Sequence, residues 1–231
     1  MKPLNLFCLP FAGGSFYAYR EFEKYVASDI RIIGTDLPGH GRKIAEPLLT
    51  DIHKMADYIW ELVRNDLNDS YAIYGHSMGA TLAYLLTKKI FQENAPAPRH
   101  LFVSGRPGPS GGNEKEEIHQ LPKAEFIRKI TEYGGTPKEV LAEEELMNFM
   151  EPILRADFQA VETYQYTEET TLDIPVTVMV GSDDRTCQGE AMRWQEVTTQ
   201  EISFREFPGG HFFIFDHLPE IGNIISRALT K

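Results

Sequence analysis

Ser77 stands in the run Tyr71-Ala72-Ile73-Tyr74-Gly75-His76-Ser77-Met78-Gly79-Ala80. A β-branched and aromatic stretch passes through a G-x-S-x-G turn into residues with helical spacing. A strand, a sharp turn and a helix in that order expose a serine for nucleophilic attack, provided that small residues flank it at two positions before and after. Gly75 and Gly79 meet that demand. The helix that begins here also aims its N-terminal N–H groups at the reaction centre, where negative charge would develop. A serine hydroxyl is a poor nucleophile at neutral pH, so a base is required, and in this arrangement the chain order is serine, acid, histidine.

His211 fits the base. Phe207-Pro208-Gly209-Gly210-His211-Phe212-Phe213 follows the last predicted strand and precedes the final helix, at the carboxyl edge where open α/β sheets build their sites. His76 lies inside the turn, His100 starts a strand, His53 and His119 fall in or near helices, and His40 precedes the serine. His217 is the positional rival, at the start of the last helix. The acid must accept the Nδ1 proton of the histidine. After Val176-Thr177-Val178-Met179-Val180 the sequence reads Gly181-Ser182-Asp183-Asp184-Arg185. The G-x-x-D spacing selects Asp184, with Asp183 as the alternative. For an oxyanion hole, one backbone N–H comes from Met78 and the other from Leu9-Pro10-Phe11-Ala12-Gly13-Gly14-Ser15, at Ala12 or else Phe11. Two glycines there allow close backbone approach. The loop lacks the spacing and lysine of a phosphate-binding loop.

Elements able to hold these residues are legible in the pattern. Strands are predicted over 5–9, 31–35, 71–74, 100–104, 175–181 and 201–206, alternating with helical spacing, as expected of a mostly parallel sheet with crossover helices. Ile52, Met55, Ile59, Leu62 and Val63 mark one helix face, capped by Thr50 or Asp51. Met78, Leu82, Leu85, Leu86 and Ile90 mark another, ended by Asn94-Ala95-Pro96-Ala97-Pro98. From about 107 to 170 no convincing strand occurs, and helical spacing over 124–133 and 139–154 predicts a helical insertion suited to a lid. The reading is one α/β domain over 1–231.

With 231 residues, 42% of them hydrophobic, the chain can bury one substantial core. Its formal net charge of -11 repels nucleic acid and anionic membrane surfaces. The opening residues lack the apolar length of a spanning helix or signal peptide, so a cytoplasmic protein is expected. Cys8 and Cys187 form neither a metal-binding pair nor a disulfide framework.

Taken together, these residues closely resemble the type II thioesterases, the stand-alone editing enzymes of nonribosomal peptide and polyketide assembly lines, on the α/β-hydrolase fold. The resemblance covers nearly the whole chain. It rests on Leu9-Pro10-Phe11-Ala12-Gly13-Gly14, Gly75-His76-Ser77-Met78-Gly79, Ser104-Gly105-Arg106, Gly134-Gly135-Thr136-Pro137, Leu154-Arg155-Ala156-Asp157-Phe158 and Gly210-His211-Phe212-Phe213. It implies hydrolysis of acyl groups from the phosphopantetheine arm of an acyl- or peptidyl-carrier protein through an acyl-serine. No cofactor or metal is implied, and a monomer is expected. The start of the chain leaves no room for the early antiparallel strands of larger relatives. Arg155 and Asp157 read as an anchor of the lid helix. Arg106, Lys123, Arg128 and Lys129 near the lid read as a solvated helix face or as a basic patch that docks an acidic carrier. The residues themselves establish only acyl transfer by a serine, so a small-molecule carboxylesterase and a non-catalytic partner-binding protein on the same fold remain open.

Overall fold

The computed structural model describes residues 3–67, 70–111, 117–167, 171–187 and 189–230. Six strands form one sheet: β1 (Leu4–Leu9), β2 (Ile30–Gly34), β3 (Tyr71–His76), β4 (Leu101–Ser104), β5 (Val176–Gly181) and β6 (Ser203–Phe207). Their order is β2-β1-β3-β4-β5-β6, and every pairing is parallel. Burial follows position. The central strands β3, β4 and β5 are buried throughout, whereas β2 and β6 expose residues as edge strands do.

Helices cover both faces. On one lie α1 (Ile52–Val63) and α2 (Met78–Gln92), whose Met55, Ile59, Leu82 and Leu86 pack on Phe7, Ile73, Val103 and Val178. Asp51 caps α1, accepting from the N–H groups of His53 at 2.8 Å and Lys54 at 3.2 Å. The opposite face is covered by a 3-10 segment at Phe16–Lys24 and by the C-terminal helix Leu218–Leu229. Between β4 and β5 come α3 (Lys123–Tyr133), α4 (Lys138–Ala142) and α5 (Glu144–Glu162). Phe126, Ile130, Met147 and Leu154 give that segment a small core of its own. Residues 112–116 and 168–170 of the expected 107–170 insertion lie outside the described residues.

The helical stretch expected over 139–154 is divided at Glu143 and runs on to Glu162. Its apolar face continues through Phe158, which packs on the segment's own core, and Ala160, which joins the main core.

Strand order places the site. The chain leaves β1 toward β2 on one side and returns to β3 on the other, so the loops after β1 and β3 flank a topological switch point, where parallel sheets open a crevice at their carboxyl ends. Ala12 follows β1 and Ser77 follows β3.

Candidate active site

Ser77 is held in the left-handed region at φ 55°, one of two such non-glycine residues among those described, and strain of this kind is kept where surrounding structure over-determines it. Its N–H donates to the Ser104 carbonyl at 2.8 Å. Both flanking glycines are sterically required. A Cβ on Gly75 would run into the Gly79 carbonyl, and one on Gly79 would lie 2.5 Å from the Leu9 carbonyl oxygen.

The Ser77 hydroxyl donates to His211 Nε2 at 2.9 Å. His211 Nδ1–H donates to Asp184 Oδ2 at 2.8 Å, which fixes the tautomer. Asp184 sits in the turn after β5 with its N–H on the Gly181 carbonyl at 3.1 Å. Burial works against its charge, but the bonds from His211 and Thr186 outweigh that and bring its pKa down to about 2. Asp183 is exposed, its N–H taken by the Gly209 carbonyl at 2.9 Å. Of the two competing aspartates the fold therefore brings Asp184 to the imidazole. His217 caps the last helix and bonds the Pro208 carbonyl at 2.9 Å.

Met78 and Ala12 both line the cleft beside Ser77. Among the described residues neither N–H donates to a protein acceptor. Phe11 also lines the cleft; its carbonyl takes the Gly14 N–H at 2.8 Å, and its ring packs on Phe212.

Several supporting residues escape sequence reasoning. Thr186 donates to Asp184 Oδ1 through its hydroxyl at 2.6 Å and its N–H at 3.0 Å, and only its place two residues after the acid hints at this. His76 lies under the triad, fully buried, bonded through Nδ1 to Ser104 Oγ at 3.0 Å. Burial and the neighbouring His211 push its pKa well below the usual histidine range. His40 pairs with Asp157 across 117 residues of sequence at 2.9 Å, and the same carboxylate oxygen accepts from the Gly13 N–H at 2.7 Å. Asp157 thereby ties α5 to the loop carrying Ala12, as the expected anchor role requires. Arg155 instead serves the segment itself, reaching Glu151 and the His119 carbonyl and stacking on Phe126.

Lys123 pairs with Glu151 at 3.3 Å and Arg128 with Glu132 at 2.5 Å, while Arg106 and Lys129 line the cleft. That cleft holds about 1850 Å³ between the sheet's carboxyl edge and the helices of the β4–β5 segment. Among the described residues no cluster of His, Cys, Asp or Glu is placed to hold a metal ion, and no helix is long and apolar enough to cross a membrane.

Comparison with known proteins adds the lineage. A family model described as the thioesterase domain matches residues 4–229. The gramicidin S biosynthesis protein GrsT of Aneurinibacillus migulanus is 34% identical, the match covering 98% of this chain and 89% of that protein. The type II thioesterase BorB from the borrelidin biosynthetic cluster superposes with a TM-score of 0.90 at 32% identity, over 98% of this chain and 93% of the other. ClbQ from the colibactin NRPS/PKS pathway gives 0.93 at 28% identity, over 99% and 97%.

Proposed function

The chain belongs to the thioesterase family, and from that premise we propose that it hydrolyses acyl and aminoacyl thioesters held on the phosphopantetheine arm of a carrier protein, clearing misprimed or stalled chains in nonribosomal peptide or polyketide assembly. One observation carries the reading: the continuous relay from Ser77 Oγ through His211 to Asp184, at 2.9 and 2.8 Å, opening on a cleft large enough for an acyl group and its arm.

In this mechanism Ser77 Oγ attacks the thioester carbonyl while His211 Nε2 takes its proton. Asp184, ionised at neutral pH, stabilises the imidazolium that results. The tetrahedral oxyanion is received by the N–H groups of Met78 and Ala12, which are fixed before the reaction begins and need no reorganisation. Collapse breaks the C–S bond, and the imidazolium returns its proton to the departing arm thiol. A water molecule then attacks the acyl-serine, giving its proton to His211, and the free acid leaves with Ser77 restored. The β4–β5 helical segment, over about 107–170, acts as the lid of the acyl chamber, anchored at Asp157.

The test is hydrolysis of acetyl, longer acyl and aminoacyl groups loaded on a phosphopantetheinylated carrier protein, wild type against Ser77→Ala, with p-nitrophenyl esters as controls. Ser77-dependent release favouring loaded carriers is expected. Fast ester cleavage without carrier turnover would instead identify a carboxylesterase, and activity on neither a binding protein.

A further inference from the structure

In the lid segment Lys123, Arg128 and Arg155 are each paired with a glutamate. Arg106 differs. It follows β4 by two residues and is partly buried in the wall of the cleft that contains Ser77. Among the described residues no carboxylate pairs with its guanidinium and no hydrogen bond reaches it, although its five N–H donors are always charged. Cys187, Tyr133 and Tyr164 act on it electrostatically. Two of these adjoin the relay: Cys187 Sγ is 3.5 Å from Asp184 Oδ2, and the Tyr133 ring is 5.6 Å from that of His211.

The backbone around Arg106 is fixed. Its carbonyl accepts from Trp194 Nε1 at 3.0 Å, Gly105 donates to the Met179 carbonyl at 3.0 Å, and Gly108 to that of Glu190 at 3.1 Å. Gly105, at φ +59°, is the residue that turns the chain there, with no room for a side chain against His76. A partly buried guanidinium with no carboxylate partner among the described residues exerts its field with less screening than a surface charge does. Burial pulls its pKa below the ordinary arginine value. Of the other charges on the wall, Asp184 is engaged by His211 and Thr186, Glu162 by His119 and Glu132 by Arg128, Glu117, Asp183 and Arg185 are exposed, and Lys129 is half-buried.

We propose that Arg106 selects acyl groups by charge, favouring those that carry an anion or acceptor oxygen beyond the thioester and disfavouring those that carry an ammonium. The inference deepens the thioesterase reading and rests on it. The arm's phosphate is common to every loaded carrier, so a preference among acyl groups on one carrier is independent of it.

Three nearly isosteric groups test this on one carrier protein: butanoyl, malonyl and β-alanyl, which differ in being neutral, anionic and cationic at the far end. The readout is the ratio of kcat/KM for malonyl to that for β-alanyl, measured by competition, which does not depend on how much of a variant is folded. The wild type is expected to favour malonyl by at least about tenfold, Arg106→Gln to collapse that ratio by about tenfold or more, and Arg106→Lys to retain most of it, with Arg185→Gln moving it least. A wild-type ratio near one overturns the proposal even if no variant folds. So does an equal loss on all three groups in Arg106→Gln, which would assign the guanidinium to the phosphopantetheine arm they share. Ser77-dependent hydrolysis of butanoyl-carrier in the same assay keeps the thioesterase reading intact whatever Arg106 does. Absence of hydrolysis from all three carriers removes that reading, and the proposal with it.

Discussion

Replacing Asp157 by alanine should cost about 3–5 kcal/mol of folding stability. The His40 and Asp157 side chains are 2% and 0% exposed and 2.9 Å apart, and removing one member of so buried a pair leaves the other without compensation. The Gly13 N–H, 2.7 Å from the same oxygen, loses its acceptor as well. This loss belongs to the same cost, since one oxygen serves both donors. Against a total of about 5–15 kcal/mol for a domain, the loss is a large share. Asp157→Asn keeps an acceptor of the same shape but not the charge, so a smaller loss of about 1–3 kcal/mol is expected. For His40, burial disfavours the imidazolium, but the bond and charge of Asp157 outweigh it and the pKa is raised. The pair's contribution is therefore complete below the unfolded histidine value of about 6.5 and lost as pH rises through the higher folded value. Urea unfolding of wild type and both variants at about pH 6 and about pH 9 measures all of this. The gap between wild type and Asp157→Asn should narrow at the higher pH. A loss below about 1 kcal/mol for Asp157→Ala, or a gap that widens with pH, would refute the assignment of this pair as the anchor of α5.

Asp184→Asn should leave the fold intact and lower kcat by about 10³–10⁴-fold through loss of the correct tautomer, measured on carrier-bound thioester. Thr186→Val removes a 2.6 Å bond to the ionised acid, and a fall in kcat of about tenfold with KM little changed is expected from a hydrogen bond to a charged group. Gly105→Ala places a Cβ against the His76 ring at a positive φ, so its melting temperature should fall, corresponding to about 1–3 kcal/mol.

Much of the site was legible because its demands are local. A serine between Gly75 and Gly79, after a buried strand and before a helix, needs only neighbouring residues to be recognised. The same holds for His211 on its glycine loop and for the parallel sheet, whose strands announce themselves by runs of apolar residues. The family-specific runs around Gly13, Arg106 and Asp157 pointed to the lineage that comparison supports over residues 4–229.

Other features depend on which loops the fold brings together. The G-x-x-D spacing favours Asp184 over the adjacent Asp183, and the turn after β5, with Asp183 N–H fastened to Gly209, brings the Asp184 carboxylate to His211. His40 meets Asp157 because the loop after β2 and helix α5 converge on Gly13, a contact that no sequence spacing encodes. The four candidate cations were likewise sorted by packing, two into ion pairs and Arg106 and Lys129 into the cleft wall. Residue type and short-range spacing thus determined which chemistry is available, because a strand, a turn or a cap is satisfied within a few residues. Tertiary structure decided which charge faces which partner, because burial and opposite charge are supplied by segments distant in the chain.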